Sequence, residues 1–369
     1  MMDRSSVQRV AALVRKELRQ IFRDPKTKRI IFASPVLQLL LFGYAVTTDV
    51  RDVPTYVVDL DRTAESRGVA DALTASGYFS IIGSSTRAAD LEDALDAGKA
   101  VVGIHIPVGF ARDVHAGRGA TVQVLVDGSQ SNTATVAQGH AGRVIQEYGM
   151  AGRPAAAGVA LEARAWFNPG LESRLYNVPA IIGVLLLLMC MLLTALTVVR
   201  ERELGTLDQL MVGPLTPGEL MMGKTLPVAL IAVIDLVIIF VVALLWFRVP
   251  FHGSIAVLLL ASTLYILTCL GLGLFISTIS RTQQEAFMTM FLMMLPLVIL
   301  SGFMYPVEAM PPLFQHLTQL NPVRHFLQVV RAIFLRGDGV AELWLHFVAL
   351  AIMAGVALGA STARFRFNA

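Results

Sequence analysis

The chain has 369 residues, 55% of them hydrophobic and only 15% charged, with a formal net charge of +3. Its mean hydropathy of +0.64 is well above that of a water-soluble domain, so a bilayer rather than a water-excluding core is the expected solvent for much of it. The basic excess is gathered near the amino terminus, which argues against nucleic acid as a partner, and two cysteines leave no room for a disulfide framework.

Residues 1–29 carry Arg15, Lys16, Arg19, Arg23, Lys26, Lys28 and Arg29, the bias expected next to a cytoplasmic membrane face. Leu13, Val14, Leu18, Ile21 and Phe22 share one helical face, which predicts a basic helix lying in the membrane interface. The apolar run 30–46 follows as a first crossing. No small-x-small cleavage site comes after it, so it reads as a retained signal anchor.

Between 47 and 177 the hydropathy falls and the period changes, which predicts a water-soluble domain inserted outside the membrane. TYVVDLD, FSIIGS, AVVGIHIP and TVQVLVDG are β-branched runs of strand length; SRGVADALTAS, ADLEDALDAG and VGFARDVHAG between them have helical spacing. The alternation predicts a small α/β sheet with helical crossovers, closed by a helix from Thr133 through Tyr148 and a Gly/Ala/Pro-rich link. VVDLDRT suggests a ligand-binding strand end, and His105, His115 and His140 suggest metal or catalysis. Without a nucleophile elbow, paired-His spacing or a Gly-rich dinucleotide loop, they read instead as helix caps and surface histidines.

Five further apolar runs, 178–199, 226–247, 255–279, 286–305 and 343–360, make the segment 178–369 a five-helix transmembrane domain. Cys190 and Cys269 fall inside these runs, away from any ligand set. The fold class is therefore an α-helical polytopic membrane protein with six transmembrane helices and an external α/β domain between the first and second. An even number of crossings puts both termini on one side, and the Lys/Arg bias makes that side the cytoplasm.

The loop 200–225, RERELGTLDQLMVGPLTPGELMMGKT, is then cytoplasmic. Glu201, Arg202 and Glu203 form a polar turn, Gly205 relieves the backbone, 206–211 has the spacing of a short amphipathic helix, and Pro214 and Pro217 end it. GELMMGKT, from Gly218, satisfies the phosphate-loop spacing, but PLTP precedes it where a buried strand is needed and an apolar span follows, so the match reads as coincidental. Asp235 sits in the middle of a span, where a carboxylate costs roughly 2.5–3.5 kcal/mol. Two readings stand: a substrate or proton contact on a transport path, or an acid hydrogen-bonded to a neighbouring Ser, Thr or Tyr such as Tyr265. Between the last two spans, in 306–340, Pro306, Pro311, Pro312 and Pro322 break an amphipathic stretch with Phe326, Val329, Val330 and Ile333 opposite Arg324, Arg331 and Arg336. That pattern predicts short re-entrant or interfacial helices on the outer side.

The E-R-E-x-G-T-x-x-Q-L segment, the Pro, Glu and Gly-Lys that follow it, the basic RKELRQIFRDPKTKR, the long insert, SGFMYPVEAMP and LNPVRHFLQVVRAIFLRG together resemble the permease subunits of type-2 ABC exporters. The resemblance spans essentially the whole chain. It implies that 201–219 is a coupling helix resting on a separate ABC ATPase, with Glu201, Arg202, Glu203, Gly205, Thr206, Gln209, Leu210, Pro214 and Glu219 as docking residues. It also implies an outer gate around Pro306, Asn321 and Pro322, and a second permease, identical or sister. The chain would bind no cofactor and carry no catalytic site of its own, ATP being hydrolysed by the partner. The implied setting is a bacterial inner membrane, with an amphipathic cargo, membrane lipids as neighbours, and the external domain as a candidate surface for a periplasmic adaptor. The rival readings are a membrane-anchored receptor sensing a ligand through that domain, and an intramembrane enzyme using Asp235.

Overall fold

A computed structural model describes residues 4–45, 52–117, 119–128, 131–150, 172–206 and 216–368. The chain divides into two compact units, Met1–Thr47 with Ala165–Ala369, and Thr48–Arg164.

The smaller unit is built on strands β1 (Val53–Asp59), β2 (Phe79–Ser85), β3 (Val102–Ile106) and β4 (Gln123–Val126), in the order β2-β1-β3-β4. β1 pairs in parallel with both β2 and β3, and β4 runs antiparallel to β3. Helices α3 (Ala64–Ala75), α4 (Ala88–Asp96), α5 (Phe110–His115) and α6 (Ser131–Met150) connect and cover the sheet. Four of the five β3 residues are buried, as expected of a strand covered on both faces. Val57, Val69, Leu73, Phe79, Ile104, Ile106 and Ala137 form the core. The strand and helix positions follow the alternation read from the sequence.

The larger unit begins with α1 (Arg4–Arg23) and α2 (Pro25–Ala45) and resumes with α7 (Ser173–Glu203), α8 (Pro217–Leu245), α9 (Ile255–Ile279) and α10 (Gln283–Ile299). A 3-10 turn (Val307–Ala309), α11 (Pro312–Leu317), a second 3-10 turn (Thr318–Leu320), α12 (Pro322–Arg331) and a π-helical turn (Ala332–Arg336) lead to α13 (Val340–Asn368). Among the described residues four helices, α7, α8, α9 and α13, are long and apolar enough to cross a membrane, while Ile31–Ala45 and Gln283–Ile299 are shorter apolar helices.

Helix boundaries follow local chemistry. α8 begins at Pro217, well before the expected 226, because Thr216 and Glu219 form a capping box (Glu219 N to Thr216 Oγ1 3.3 Å, Thr216 N to Glu219 Oε2 2.8 Å) and proline occupies the first turn. α10 stops at Ile299 instead of continuing to 305: Gly302 takes φ +81° and Pro306 cannot continue a helix. α12 starts on an Asn321 cap, whose Oδ1 accepts from Val323 N at 3.0 Å.

α7 is the central helix, apolar all round and buried at Ile181, Leu186, Leu187, Cys190 and Val199. Close approach depends on glycine. A Cβ on Gly271 would stand 2.7 Å from the Ala357 Cβ and 2.9 Å from backbone, so α9 and α13 meet nearly backbone to backbone. Tyr265 stacks on Phe326 with centroids 4.1 Å apart and donates to the Gly183 carbonyl at 2.9 Å, fixing α12 over α7 and α9. Phe326, Val329, Val330 and Ile333 are all fully buried, as the amphipathic pattern predicts. Outer faces of α8, α10 and α13 leave Leu230, Val237, Phe287, Leu292, Trp344 and Ile352 exposed, the surface of a protein whose solvent is apolar.

α1 packs on the bundle through a partly polar stripe. Its buried stripe is Ser6, Val10, Leu13 and Glu17, while Val14 and Leu18 are half-buried and Phe22 is exposed. Leu13 fills the gap that Gly223 leaves on α8, where a Cβ would come within 2.3 Å of Leu13 Cδ2. Apolarity alone does not predict this face, because Ser6 and Glu17 are held in it by polar partners.

Candidate functional site

At the carboxyl end of α7, three successive side chains reach three different neighbours. Successive helical residues are turned about 100° from one another, so a triplet at a helix end fans outward. Glu201 accepts from Lys224 of α8 (Nζ to Oε1 2.8 Å) and from Thr206. Arg202 donates through Nη1 to the Ser277 and Ser280 carbonyls, at 3.1 and 2.8 Å, where α9 ends. Glu203 accepts from the backbone N (3.3 Å) and Nε2 (2.7 Å) of Gln283, the first residue of α10.

Lys224 is 4% exposed and also donates to Glu17 of α1 at 2.6 Å, with Lys16 at the rim 3.5 Å from Glu17 and 3.8 Å from Glu201. One turn earlier, buried Glu219 accepts from Arg9 at 2.6 Å and from Ser6, so a second polar tie joins α1 to α8. A cation buried between two carboxylates holds its elements in register because removing any member strands a charge away from water. Gly205 ends α7 at φ +69°, its N–H bonded to the Arg202 carbonyl at 3.1 Å, a left-handed position that favours glycine. The carboxylates and guanidinium of the triplet are thus committed within the chain; Leu204, 65% exposed, is the apolar side chain presented beside them. Gln209, Leu210 and Pro214 lie outside the described residues.

Glu17, Arg9, Ser6 and Gln283 escape a reading of the sequence, and Lys224 enters it only within the Gly-Lys pair, without its partners. One signal was available: T-P-G-E at 216–219 is a capping-box spelling that places Glu219 and Lys224 on a helix. The same geometry disposes of the phosphate-loop spacing. Gly218–Thr225 is helical, with Leu220 N bonded to the Thr216 carbonyl at 3.0 Å, so the segment forms no anion nest, and its lysine faces two carboxylates.

Asp235 is 1% exposed and its Oδ2 has no hydrogen-bond partner. Tyr265, the expected neighbour, bonds to Gly183 instead. At the other end of the bundle, Asn321 Nδ2 donates to the Leu297 carbonyl at 2.7 Å, tying the end of α10 to the start of α12, and Pro322 occupies the first turn of α12. Pro306 precedes the first 3-10 turn and lines a cavity there.

In the smaller unit, VVDLDRT is a knot of caps. Asp59 Oδ1 accepts from Asp61 N (3.0 Å) and Arg62 N (2.9 Å), and Asp59 Oδ2 accepts from Ser66 Oγ (2.7 Å). Asp61 accepts from Gly109 N at 2.6 Å and Ala111 N at 2.8 Å. His115 bonds Glu65 at the surface, but His140 is not a surface histidine: it is 9% exposed and stacked on Tyr78 at 3.9 Å. The amide bonds, Ala111 foremost, hold the Asp61 carboxyl below the ordinary carboxylate range. A depressed carboxyl stabilises the fold above its unfolded pKa, and that contribution fades as pH falls through the lower folded value. Asp61→Asn is therefore expected to loosen the 109–111 turn by about 1–2 kcal/mol near neutrality. Faster exchange of the Gly109 and Ala111 amides, with the gap from wild type closing in acid, is the measurement.

A bundle of long apolar helices with exposed apolar faces and a cross-tied polar junction at one end defines a membrane-embedded helical protein. The chain matches the family described as ABC-2 family transporter protein over residues 29–363, and it belongs to that family. It is 31% identical over 361 residues to the probable multidrug ABC transporter permease YbhR of Escherichia coli K12, covering 97% of this chain and 98% of that protein. It is 32% identical over 340 residues to the probable multidrug permease YbhS of the same strain, 90% of each, and 30% identical over 363 residues to the inner membrane transport permease YhhJ, 95% of each. Membership places the chain among ABC transporter permeases.

Proposed function

We propose that the chain is the membrane-spanning half of an ATP-driven exporter that moves amphipathic molecules out of the cytoplasm or inner leaflet. Separate ATPase subunits would dock on the 201–219 connection, and a second permease, identical or sister, completes the path. The observation that carries this reading is the junction: Glu201, Arg202 and Glu203 tie α8, α9 and α10 to the end of α7, and Lys224 adds α1. A push at this connection reaches five helices together. Closure of the ATPase pair then favours one of two bundle arrangements through differential binding, with no covalent step in this chain.

In this reading α2 and α10 are the first and fifth of six crossings, α2 being 21 residues long, and both termini lie in the cytoplasm. The amphipathic cargo is supported by the relatives' multidrug names and by Asp235, a buried acid whose Oδ2 has no partner among the described residues and which is taken here as a polar contact on the path. Pro306, Asn321 and Pro322 border the outer gate, and the domain within 47–177 is external, facing cargo or a periplasmic adaptor.

The test is co-purification with an ATPase and measurement of its turnover. Leu204→Asp alters an exposed side chain beside the junction and is expected to cut permease-stimulated ATP hydrolysis roughly tenfold with folding intact. Full stimulation after replacement of the whole 204–216 segment by Gly and Ser would overturn the docking assignment.

A further inference from the structure

A cavity of about 590 Å³ opens at the other end of α7, lined by Tyr176, Arg331, His346, Val307, Leu335 and Leu343 among others. From Tyr176 to Glu201 along the helix is about 38 Å, so this cavity is a bilayer thickness away from the junction. Its volume lies in the range of small-molecule sites.

Two of its polar groups are built and incompletely used. Arg331 stacks its guanidinium 3.6 Å above the Tyr176 ring and donates through Nε to the Tyr176 carbonyl and through Nη1 to the Gly302 carbonyl, both at 3.3 Å. Its Nη2 is buried with no acceptor. The fork is thus held flat by a ring and two long bonds, with one edge unmatched, which is costly away from water. His346 is oriented by a chain of rings. The Gln319 carbonyl only accepts, so His325 Nε2 donates to it at 2.8 Å, and His325 Nδ1 must then accept from His346 Nδ1 at 2.9 Å. That assignment leaves His346 Nε2 as an unshared acceptor. Arg336 is already paired with Asp338 at 2.7 Å, and Glu308 at the rim is exposed.

We propose that this cavity binds an anionic amphiphile with a phosphate head and a head-group hydroxyl. The phosphate takes the Arg331 fork, whose planar donors match two phosphate oxygens. The fork pivots on Tyr176 and exchanges a 3.3 Å carbonyl bond for the ligand's oxygen. The hydroxyl donates to His346 Nε2. The acyl portion lies against Leu335, Leu343 and Val307, walls a free inorganic anion would leave in contact with water. The site stands on its own geometry and does not depend on how the chain is driven.

The test uses the purified full-length chain without nucleotide or ATPase and reads bound lipid by native mass spectrometry, with phosphatidylglycerol and phosphatidylcholine of matched chains as probes and inorganic phosphate as competitor. Wild type is expected to retain phosphatidylglycerol preferentially. Arg331→Gln should reduce that preference roughly tenfold, and Arg331→Lys should keep part of it. Leu343→Trp fills the apolar wall while leaving the fork in place, and it should likewise reduce retention of phosphatidylglycerol, so the test survives if Arg331→Gln fails to fold. Equal retention of both lipids by wild type, or unchanged preference in folded Arg331→Gln and Leu343→Trp, would overturn the site. Displacement by inorganic phosphate as effective as by phosphatidylglycerol would make it a free-anion site and overturn the amphiphile.

Discussion

Lys224→Met is expected to destabilise the protein by about 3–5 kcal/mol, the usual cost of stranding buried carboxylates by deleting their shared cation. Lys224 bonds Glu17 at 2.6 Å and Glu201 at 2.8 Å, and the next nearest cation, Lys16, is half solvent-exposed at the rim. The loss should appear as a lower unfolding midpoint in detergent and as release of α1, whose Leu13 otherwise plugs the Gly223 gap. Adding Glu17→Met removes one of the stranded charges and should restore a substantial part of the lost stability, because apolar replacements of a buried ion pair are often tolerated. A single Lys224→Met variant within about 0.5 kcal/mol of wild type would mean that the ion cluster does not hold the junction.

Gly271→Leu is the second large effect. The Ala357 Cβ and the backbone of Ala357 and Leu358 stand 2.7–2.9 Å from where a Cβ would go, and Ser361 Oγ donates to the Gly271 carbonyl at 2.7 Å. Backbone cannot swing aside as a side-chain end can, so α9 and α13 must separate. The expected cost is about 3 kcal/mol or more, at the upper end for overpacking. Gly359, on the same α13 but with nothing within 4 Å of its would-be Cβ, supplies the control. Gly359→Ala should leave the unfolding midpoint unchanged, and equal effects at the two glycines would contradict the packing account.

The legible parts of the fold are those written in local periodicity. Apolar length marks α7, α8 and α9, β-branched runs mark β1 to β4, and the opposition of Phe326, Val329 and Val330 to Arg324 and Arg331 marks α12. What sequence reading loses is long-range pairing. Glu17 and Lys224 are 207 positions apart, and each alone resembles a flanking charge at a membrane boundary. Glu201, Arg202 and Glu203 read as a polar turn with docking residues because nothing local reveals the Ser280 carbonyl or Gln283 waiting across the bundle. The α1 stripe that packs on α8 is illegible for the same reason: a stripe containing Ser6 and Glu17 looks polar until their partners are known. His140 reads as a surface histidine because a ring-on-ring contact with Tyr78 leaves no periodic trace.

The arrangement around the triplet also limits how this protein can be broken. Arg202 grips two main-chain carbonyls, and these exist whatever residues occupy 277 and 280, so that strut survives substitutions at its receiving end. Glu201 and Glu203 instead depend on the identities of Lys224 and Gln283. The two are unequal: change at Gln283 frees one carboxylate near the surface, change at Lys224 strands two in the interior, and change at Arg202 itself parts α7 from the end of α9.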